Sequence, residues 1–432
     1  MKKNVTIGVV CLARETYDFN AARELYQSQK ANLGNIENVE WVFIDDLVIS
    51  IEDAEAAARK LASKLLDGLV IISGTFHLGH LALILDKHVQ RPILLWAFKE
   101  LPYNGGKIRL NSVCGLNLNA SNLYKAGIDH FSCIVSDSID EDWIDALRIK
   151  NIISNAHLGL VGYRADGFFN LSVNDLSFFQ KTGILIDHYE LSELFQNANE
   201  KLYDASSIFD CSGITEAQID KVENLTTSME KFIKDNKLDA LAVRCWPEFA
   251  NTYGISPCAA MSILGAKDHI IACEGDVEGA ISLLACRAIS SQPPFFADLS
   301  QVDFEENVAL MWHCGVAPEC LWDGKSDKTL DTYFAAGRGV TADFVLKPGQ
   351  VTIFRIDSAR GKTRFFLQKG VAIPTEKELK GTYTKVKLEK NINEVLDIIT
   401  TNGIAHHVVL LYGDYSNILR RFARIMNLEV IE

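Results

Sequence analysis

The chain has 432 residues, of which 48% are hydrophobic and 23% are charged, a composition typical of soluble globular proteins and long enough for about three domains. A formal net charge of −13 argues against a general nucleic-acid-binding surface, and no apolar run approaches the roughly 20 residues that a membrane-spanning helix needs. Ten cysteines are too dilute for a disulfide framework, and Cys314 and Cys320 have no C-x-x-C partner. We therefore expect a cytoplasmic protein with reduced thiols and no structural zinc site.

The first 150 residues or so alternate between strand-like and helix-like segments. We interpret the N-terminal run MKKNVTIGVV as the first strand and not as a signal peptide, because it has strand length and leads into a charged helix. The alternation is typical of an open parallel sheet with helices on both faces. The predicted strands are 5–10, 39–44, 69–73 and 93–97, and the predicted helices are 20–33, 54–66 and 81–89.

A second α/β unit is predicted from residue 158, with strands at 158–163, 184–186, 240–243 and 269–272 and a helix at 216–236. From Asp298 onwards short strands follow one another closely, at 308–313, 340–346, 350–356 and 364–369, which favours an antiparallel sheet or a small barrel. The fold prediction is therefore α/β, with two doubly wound parallel-sheet domains and a β-rich C-terminal domain. We place the domains at 1–155, 156–295 and 296–432.

The segment from Ala272 to Asp298 places an acid near each end of a helix-plus-turn unit. Glu274 is predicted to open the apolar helix, and Asp298 directly follows the apolar run Phe295-Phe296-Ala297, where an unpartnered carboxylate would be costly to bury. The other residues with suitable chemistry are three histidines, His313, His406 and His407.

Each of these signals has a structural explanation as well. A glutamate near a helix N-terminus can complement the helix dipole, an aspartate can cap a turn, and a histidine in a strand is often a core residue. Carboxylates combined with imidazoles nevertheless suit Mn²⁺, Mg²⁺, Co²⁺ or Fe²⁺.

The motifs in this segment resemble those of the L-fucose isomerase and L-arabinose isomerase group. In the fucose-isomerase pattern one metal ligand is a glutamate that opens a helix and another is the aspartate of F-A-D, which match Glu274 in CEGD and Asp298 in FAD. The resemblance implies a third, histidine ligand, for which GIAHHVVLLYGD offers His407, which we favour, or His406. The arabinose-isomerase branch has a further histidine that matches His313 in MWHCGVAP, where a metal-binding and a substrate-binding role both stay open.

The resemblance also implies substrate contacts. Arg14, His77 and Trp96 resemble residues that reach into a neighbouring subunit's site, and the segments NSVCGLNLNASN and GLVGYRADGF resemble shorter fucose-isomerase-like proteins. Because this chain is shorter than the long fucose isomerases, the sugar is not determined by the family. Isomerases of sulfonated hexoses resemble the short branch, and Arg244 or Arg14 could bind a sulfonate or phosphate. Two further candidate pocket residues, Trp246 and Glu248, follow Arg244 in RCWPEF.

The resemblance implies a metal-dependent ketol isomerase that interconverts an aldose and its ketose through a cis-enediol, with Glu274 and Asp298 as ligands and acid/base groups and Mn²⁺, Co²⁺ or Mg²⁺ as cofactor. The substrate would be L-fucose-like, arabinose-like or a sulfonated hexose such as sulfoquinovose. The implied assembly is a homo-oligomer, a hexamer or a trimer, with sites at subunit interfaces. The expected partner is a small sugar, with no nucleic acid and no membrane. The alternatives are a non-catalytic sugar-binding or sensing module and a metal-dependent sugar epimerase or aldolase.

Overall fold

The computed structural model describes residues 2–103, 105–196, 201–333 and 337–432. The chain divides into two compact units. The N-terminal unit comprises Met1–Asn151 and Asn417–Leu428, and the second unit comprises Ile152–Ser416 and Glu429–Glu432.

The N-terminal unit contains a five-stranded parallel sheet, as the alternation of segments predicts. All residues of the third and fourth strands are buried, which is typical of parallel strands covered by helices on both faces. The strands are β1 Val5–Leu12, β2 Val39–Phe43, β3 Gly68–Ser73, β4 Ile93–Ala97 and β5 Phe131–Val135. The helices are α1 Phe19–Leu33, α2 Ile51–Ala62, α3 His80–Val89, α4 Ser112–Lys125 and α5 Glu141–Ser154, the last of which runs into the second unit. The sheet order is β2-β1-β3-β4-β5.

The second unit begins with a four-stranded parallel sheet in the order β7-β6-β8-β9. Its strands are β6 His157–Val161, β7 Leu185–Tyr189, β8 Ala240–Val243 and β9 Ile270–Ala272. Its helices are α6 Asp175–Thr182, α7 Leu191–Leu194, α8 Glu216–Asp235, α9 Cys258–Gly265 and α10 Val277–Arg287. Because the strands are parallel, the loops that follow β6, β8 and β9 leave the sheet at the same edge.

The rest of the second unit is a nine-stranded, mostly antiparallel sheet. Its strands are β10 Phe295–Asp303, β11 Val308–His313, β12 Thr329–Asp331, β13 Thr341–Val345, β14 Gly349–Ala359, β15 Lys362–Ile373, β16 Thr382–Leu388, β17 His407–Tyr412 and β18 Glu429–Ile431. Pairing of β15 with β16 closes six antiparallel strands into a ring in the order β16-β11-β10-β17-β14-β15. The predicted α/β class with a barrel-like C-terminal part is confirmed.

Two helices complete the chain, α11 Ile392–Asn402 and α12 Ser416–Met426. Nearly all of α12 belongs to the N-terminal unit, where Arg424 Nε donates a hydrogen bond to the Phe131 carbonyl oxygen at 2.8 Å and Arg421 pairs with Asp140 at 2.8 Å. The predicted three-domain boundaries stay a prediction. Among the described residues, the helices are all too short or too polar to cross a membrane.

Candidate metal and sugar site

The loop after β9 holds Glu274 in an unusual backbone conformation. Glu274 has φ +63° and Gly275 has φ +71°, so two consecutive residues lie in the left-handed region. The Gly275 N–H donates to the Val243 carbonyl oxygen and the Ala165 N–H donates to the Glu274 carbonyl oxygen, each at 3.0 Å. Non-glycine residues adopt this conformation at a cost and are concentrated at functional sites. The loop therefore fixes where the Glu274 side chain points.

The expectation that Glu274 opens the helix is wrong. Helix α10 begins at Val277, and Asp276 is its N-cap, with Oδ1 accepting a hydrogen bond from the Gly279 N–H at 2.8 Å. Aspartate is a strong N-cap residue, and the left-handed pair before it cannot belong to a right-handed helix. Glu274 is therefore a loop residue at the carboxyl end of a parallel strand, where ligand sites commonly form.

The antiparallel sheet brings Asp298 next to two histidines. Asp298 on β10 pairs with His407 on β17 on one side and with Trp312 on β11 on the other, and His313 follows Trp312. This register joins segments more than a hundred residues apart in the sequence.

His407 lies between the two acids that the sequence singles out. Its Nε2 lies 3.1 Å from Glu274 Oε2 and 3.6 Å from Asp298 Oδ1, and its side chain is 1% exposed. The side chains of Glu274 and Asp298 are 17% and 25% exposed. His406, 40% exposed, reaches only Glu274, at 3.5 Å, and its Nδ1 lies 3.1 Å from the Asn170 amide nitrogen. His407 is thus the histidine that meets both carboxylates.

A buried charge network lies behind His407, and the sequence reasoning missed it. Asp276 Oδ2 accepts from His407 Nδ1 at 2.9 Å and from Arg355 Nη1 at 2.7 Å, and Arg355 Nη2 donates to Asp276 Oδ1 at 3.1 Å. Arg355 Nη1 also donates to the His407 carbonyl oxygen at 3.2 Å. With Nδ1–H held by Asp276, the Nε2 lone pair of neutral His407 faces the two acids. The sequence offered one signal for this network, which is that Arg355 is a charged residue inside the mostly apolar strand β14.

Two more carboxylates complete this network. Arg355 Nη2 lies 3.4 Å from Glu278 Oε2, and Arg355 Nε lies 3.3 Å from Asp357 Oδ1. Asp357 also pairs with Arg364 at 2.7 Å. Burial raises the pKa of Glu278 to about 8, so this carboxyl is mostly protonated at neutral pH. Burial alone would lower the pKa of Arg355, but the charge of Asp276 and its hydrogen bonds with Arg355 raise this pKa by more, so the guanidinium stays charged.

Glu274 and Asp276 stay ionised, whereas His407 holds its proton in the metal-free protein. Burial would raise the pKa of Glu274, but hydrogen bonds from His406 and His407 hold it well below its usual range. Burial likewise opposes ionisation of Asp276, and Arg355 and His407 hold its pKa well below the usual range. Burial would lower the pKa of His407, but hydrogen bonds to Asp276 and Glu274 raise it to about 9.

His313 faces the same centre with its other ring nitrogen. Its Nδ1 accepts a hydrogen bond from the Cys314 backbone N–H at 2.9 Å, and burial lowers its pKa, so the ring is neutral with the hydrogen on Nε2. Within the described part of the chain, neither His313 Nε2 nor Asp298 Oδ1 has a hydrogen-bond partner, although both atoms are buried. Unpaired buried polar atoms are rare in folded proteins, and a bound ion or ligand is one explanation for them.

These side chains fit a divalent cation. Ligand atoms of Glu274, His406 and His407 lie within 4.8 Å of one another, and so do those of Asp298, His313 and His407. His407 belongs to both groups. Two carboxylates with an imidazole form a mixed donor set of the kind that Mn²⁺ and Co²⁺ accept.

The other predicted residues of the second unit lie near β8. Arg244 Nη2 pairs with Glu248 Oε1 at 2.8 Å. The Trp246 ring packs edge-on against Phe168 at 6.0 Å, and Phe168 packs against His406 at 5.3 Å. Phe168 and Asn170, which the sequence reasoning did not single out, thus connect this pocket wall to the metal-site candidates.

Arg14, His77 and Trp96 belong to the N-terminal unit. Trp96 is buried in β4, and its Nε1 donates to the Ser136 carbonyl oxygen at 2.9 Å. His77 is buried beside Ser73 at 3.0 Å, and burial lowers its pKa to about 4. The Arg14 side chain is exposed. Their substrate-binding roles stay a prediction.

Comparisons with known proteins agree with the sequence motifs. The description "Fucose/sulfoquinovose isomerase, N-terminal domain" matches residues 8–156, and "L-fucose isomerase, C-terminal domain" matches residues 311–432. The chain is 28% identical to the sulfoquinovose isomerase of Priestia megaterium, with 99% of each chain covered, and 25% identical to that of Alkalicoccus urumqiensis, also with 99% of each chain covered. It is 26% identical to the sulfoquinovose isomerase of Clostridium sp. (strain MSTE9), with 89% of each chain covered.

Among solved structures, a periplasmic solute-binding protein from Actinobacillus succinogenes with bound D-allose is 11% identical to this chain. The match covers 62% of this chain and 77% of the solute-binding protein, and its TM-score of 0.18 is too low to support an inference about fold or function.

The domain matches at both ends of the chain and the full-length relatives confirm the resemblance seen in the motifs: the chain belongs to the fucose/sulfoquinovose isomerase family.

Proposed function

We propose that the protein is a metal-dependent aldose–ketose isomerase whose substrate is a sulfonated hexose of the sulfoquinovose type. The observation that carries the proposal is the convergence of Glu274 and Asp298 on His407 Nε2, at 3.1 and 3.6 Å. The names of the full-length relatives support this choice of substrate.

Glu274, Asp298 and His407 would hold the cation, for which Mn²⁺ is our first choice and Co²⁺ or Mg²⁺ the alternatives. A bound divalent ion supplies Lewis acidity that polarises the substrate carbonyl and stabilises the charge of the enediol. Asp276 orients His407 for this role through the 2.9 Å hydrogen bond to Nδ1.

The protein's own groups carry the proton transfer. The Glu274 carboxylate, which stays ionised, removes the proton from C2 of the open-chain aldose, and a carboxylate returns a proton to C1 of the enediol. The hydroxyl proton passes from O2 to O1 in the same conversion. Asp298 is the second acid/base candidate, because its Oδ1 is buried without a hydrogen-bond partner in the described chain and lies 3.6 Å from His407 Nε2. His313 Nε2–H donates a hydrogen bond to the substrate oxygen that gains negative charge.

Arg244 is our choice for binding the sulfonate. It follows β8 at the edge of the sheet where Glu274 follows β9, and its Nε is buried without a partner among the described residues. A guanidinium binds an anion with several acceptor oxygens through parallel N–H donors. Glu248, at 2.8 Å, neutralises Arg244 and would be displaced or would turn towards sugar hydroxyls when the anion binds.

The test is an isomerase assay on the full-length protein with Mn²⁺ and with EDTA. Sulfoquinovose, L-fucose, L-arabinose and D-arabinose are compared, and NMR follows both the product and exchange of the C2 proton with solvent deuterium. We expect Mn²⁺-dependent conversion of sulfoquinovose to its ketose, loss of turnover in folded Glu274→Gln, and normal turnover in Glu55→Gln, which alters an exposed helical ion pair with Arg59. Binding without C2 exchange on any sugar would refute the isomerase, and an epimer or cleaved product would identify a different reaction.

The anion-binding role has its own variant. Arg244→Gln should raise KM for sulfoquinovose by about 10- to 100-fold, as expected when a charge-assisted hydrogen bond worth about 1.5–3 kcal/mol is lost. The same change should alter KM for an uncharged aldose much less. Equal effects on both sugars would contradict sulfonate binding by Arg244.

A further inference from the structure

His406 and His407 are neighbours in the sequence, but different groups meet their Nδ1 atoms. The Nδ1 of His407 lies 2.9 Å from Asp276 Oδ2, whereas the Nδ1 of His406 lies 3.1 Å from the Asn170 amide nitrogen. An ionised carboxylate only accepts hydrogen bonds, and an amide nitrogen only donates them. The ring hydrogen of the neutral tautomer therefore lies on Nδ1 in His407 and on Nε2 in His406.

The position of this hydrogen decides which histidine can bind a cation through Nε2. Both Nε2 atoms lie near Glu274 Oε2, at 3.1 Å for His407 and 3.5 Å for His406. A ring nitrogen that carries a hydrogen has no lone pair for a metal ion. The neutral ring of His407 thus offers a lone pair to the cation, whereas His406 presents an N–H to the Glu274 carboxylate.

We infer that His406 is a positioning residue for Glu274 and not a metal ligand, and that Asn170 sets its tautomer. The inference rests on the proposed function, in which Glu274 removes the C2 proton. Once the cation takes the Nε2 lone pair of His407, that ring no longer donates to Glu274, and His406 Nε2–H stays as a donor to this carboxylate. Hydrogen bonds of this kind orient a ligating carboxylate.

The segment that follows β6 holds His406 and the Glu274 loop together. The Ala165 N–H donates to the Glu274 carbonyl oxygen at 3.0 Å, and the Phe168 ring meets the His406 ring edge-on at 5.3 Å. Asn170 lies two residues further along the same segment. One short stretch of chain therefore contacts both the backbone of Glu274 and the imidazole that donates to its side chain.

The first test measures the tautomer of His406 in the metal-free protein. Magic-angle-spinning NMR of full-length protein labelled with ¹⁵N-histidine distinguishes a ring nitrogen that carries hydrogen from one that does not, and the signals of His406 are those absent from His406→Gln. We expect hydrogen on Nε2 and none on Nδ1. Hydrogen on Nδ1 of His406 would overturn the inference. This result does not depend on turnover, so the inference and the proposed isomerase activity can fail separately.

The second test separates a positioning residue from a metal ligand. His406→Leu should retain the Mn²⁺ of wild type by metal analysis and lower kcat for sulfoquinovose by about 10- to 100-fold, with little change in KM. His406→Gln should recover part of kcat, because its amide N–H can donate to Glu274. The control is His88→Leu, which changes an exposed histidine of α3 and should leave turnover unchanged. Loss of Mn²⁺ from folded His406→Leu would identify a ligand, and an unchanged kcat would exclude a positioning role.

The third test asks whether Asn170 acts through His406. Asn170→Leu removes the donor to Nδ1 and should lower kcat by a smaller factor than His406→Leu, because Glu274 itself still favours the hydrogen on Nε2. Asn170 is exposed, so the change should leave the fold intact. In the His406→Leu background Asn170→Leu should have no further effect on kcat. A further loss in the double variant would show that Asn170 acts independently of His406 and would overturn its assigned role.

Discussion

Asp276 connects the buried network to the proposed metal ligand, so Asp276→Asn tests how the site is held. Asparagine keeps the size of the side chain and can still cap α10, because its amide oxygen can accept the Gly279 N–H. It removes the charge that faces both Arg355 and His407. Its amide nitrogen can also donate to His407 Nδ1, which would place the imidazole hydrogen on Nε2, where the cation should bind.

The structure sets the size of the expected effects. Breaking a buried ion pair usually costs about 3–5 kcal/mol, and we expect the lower end, about 3 kcal/mol, because Asp357 still faces Arg355 and Glu278 can ionise once Asp276 is neutral. Loss of a group that orients a metal ligand weakens metal binding by about 10- to 100-fold. The control is Glu278→Gln, which should cost less than about 1 kcal/mol at neutral pH, because Glu278 is already mostly protonated there.

Two measurements test this reasoning. Urea unfolding of the metal-free protein gives the stability loss, and calorimetric titration with Mn²⁺ under anaerobic conditions gives the affinity. The affinity deficit should be larger at pH 9 than at pH 7, because Asp276→Asn also lowers the pKa of His407 and so relieves proton competition at pH 7. A folded Asp276→Asn protein that binds Mn²⁺ as tightly as wild type at pH 9 would refute the proposed role of Asp276.

Three further predictions concern the same site. The pKa of His407 is raised to about 9, so its proton contributes stability to the metal-free fold below its unfolded pKa and this contribution is lost as the pH rises through 9. Mn²⁺ must displace this proton, so affinity should rise about tenfold per pH unit up to pH 9, and titrations in buffers of different ionisation enthalpy should detect about one proton released per ion. A pH-independent affinity would contradict this. His313→Leu should retain the Mn²⁺ of wild type by metal analysis but lower kcat by about 10²- to 10³-fold, with partial recovery in His313→Gln, because in the proposed mechanism His313 Nε2–H donates to the substrate and is not a metal ligand. Loss of Mn²⁺ from His313→Leu would instead identify a ligand. Gly275→Ala would place a Cβ 2.3 Å from the Tyr163 carbonyl oxygen, so it should lower the thermal unfolding temperature and abolish Mn²⁺ binding. Gly167→Ala is the control, because Gly167 has a similar positive φ but open space around it, and it should cause only modest destabilisation. Equal effects of the two changes would rule out the steric explanation.

Many of the strands were predictable because they are short apolar runs that need burial on one or both faces. The predicted bounds of β4, β8 and β11 agree with the structure residue for residue. Three of the strands that were missed carry weaker patterns. β16, TYTKVKL, is half polar because it alternates faces, and β12 and β18 have only three residues each.

The sequence by itself determined the fold class, the family and the identity of Glu274 and Asp298 as the acids to consider, since local patterns and motifs carry that information. Only the tertiary structure decided between His406 and His407 as the residue that meets both acids, because the register of β10 against β17 sets which ring turns inward. The links from Asp276 to Arg355 and from Cys258 to Cys314 also depend on tertiary structure. Hydrogen bonds and thiol contacts between residues 79 or 56 positions apart leave no local pattern, because the chain brings such residues together only when the sheets pack.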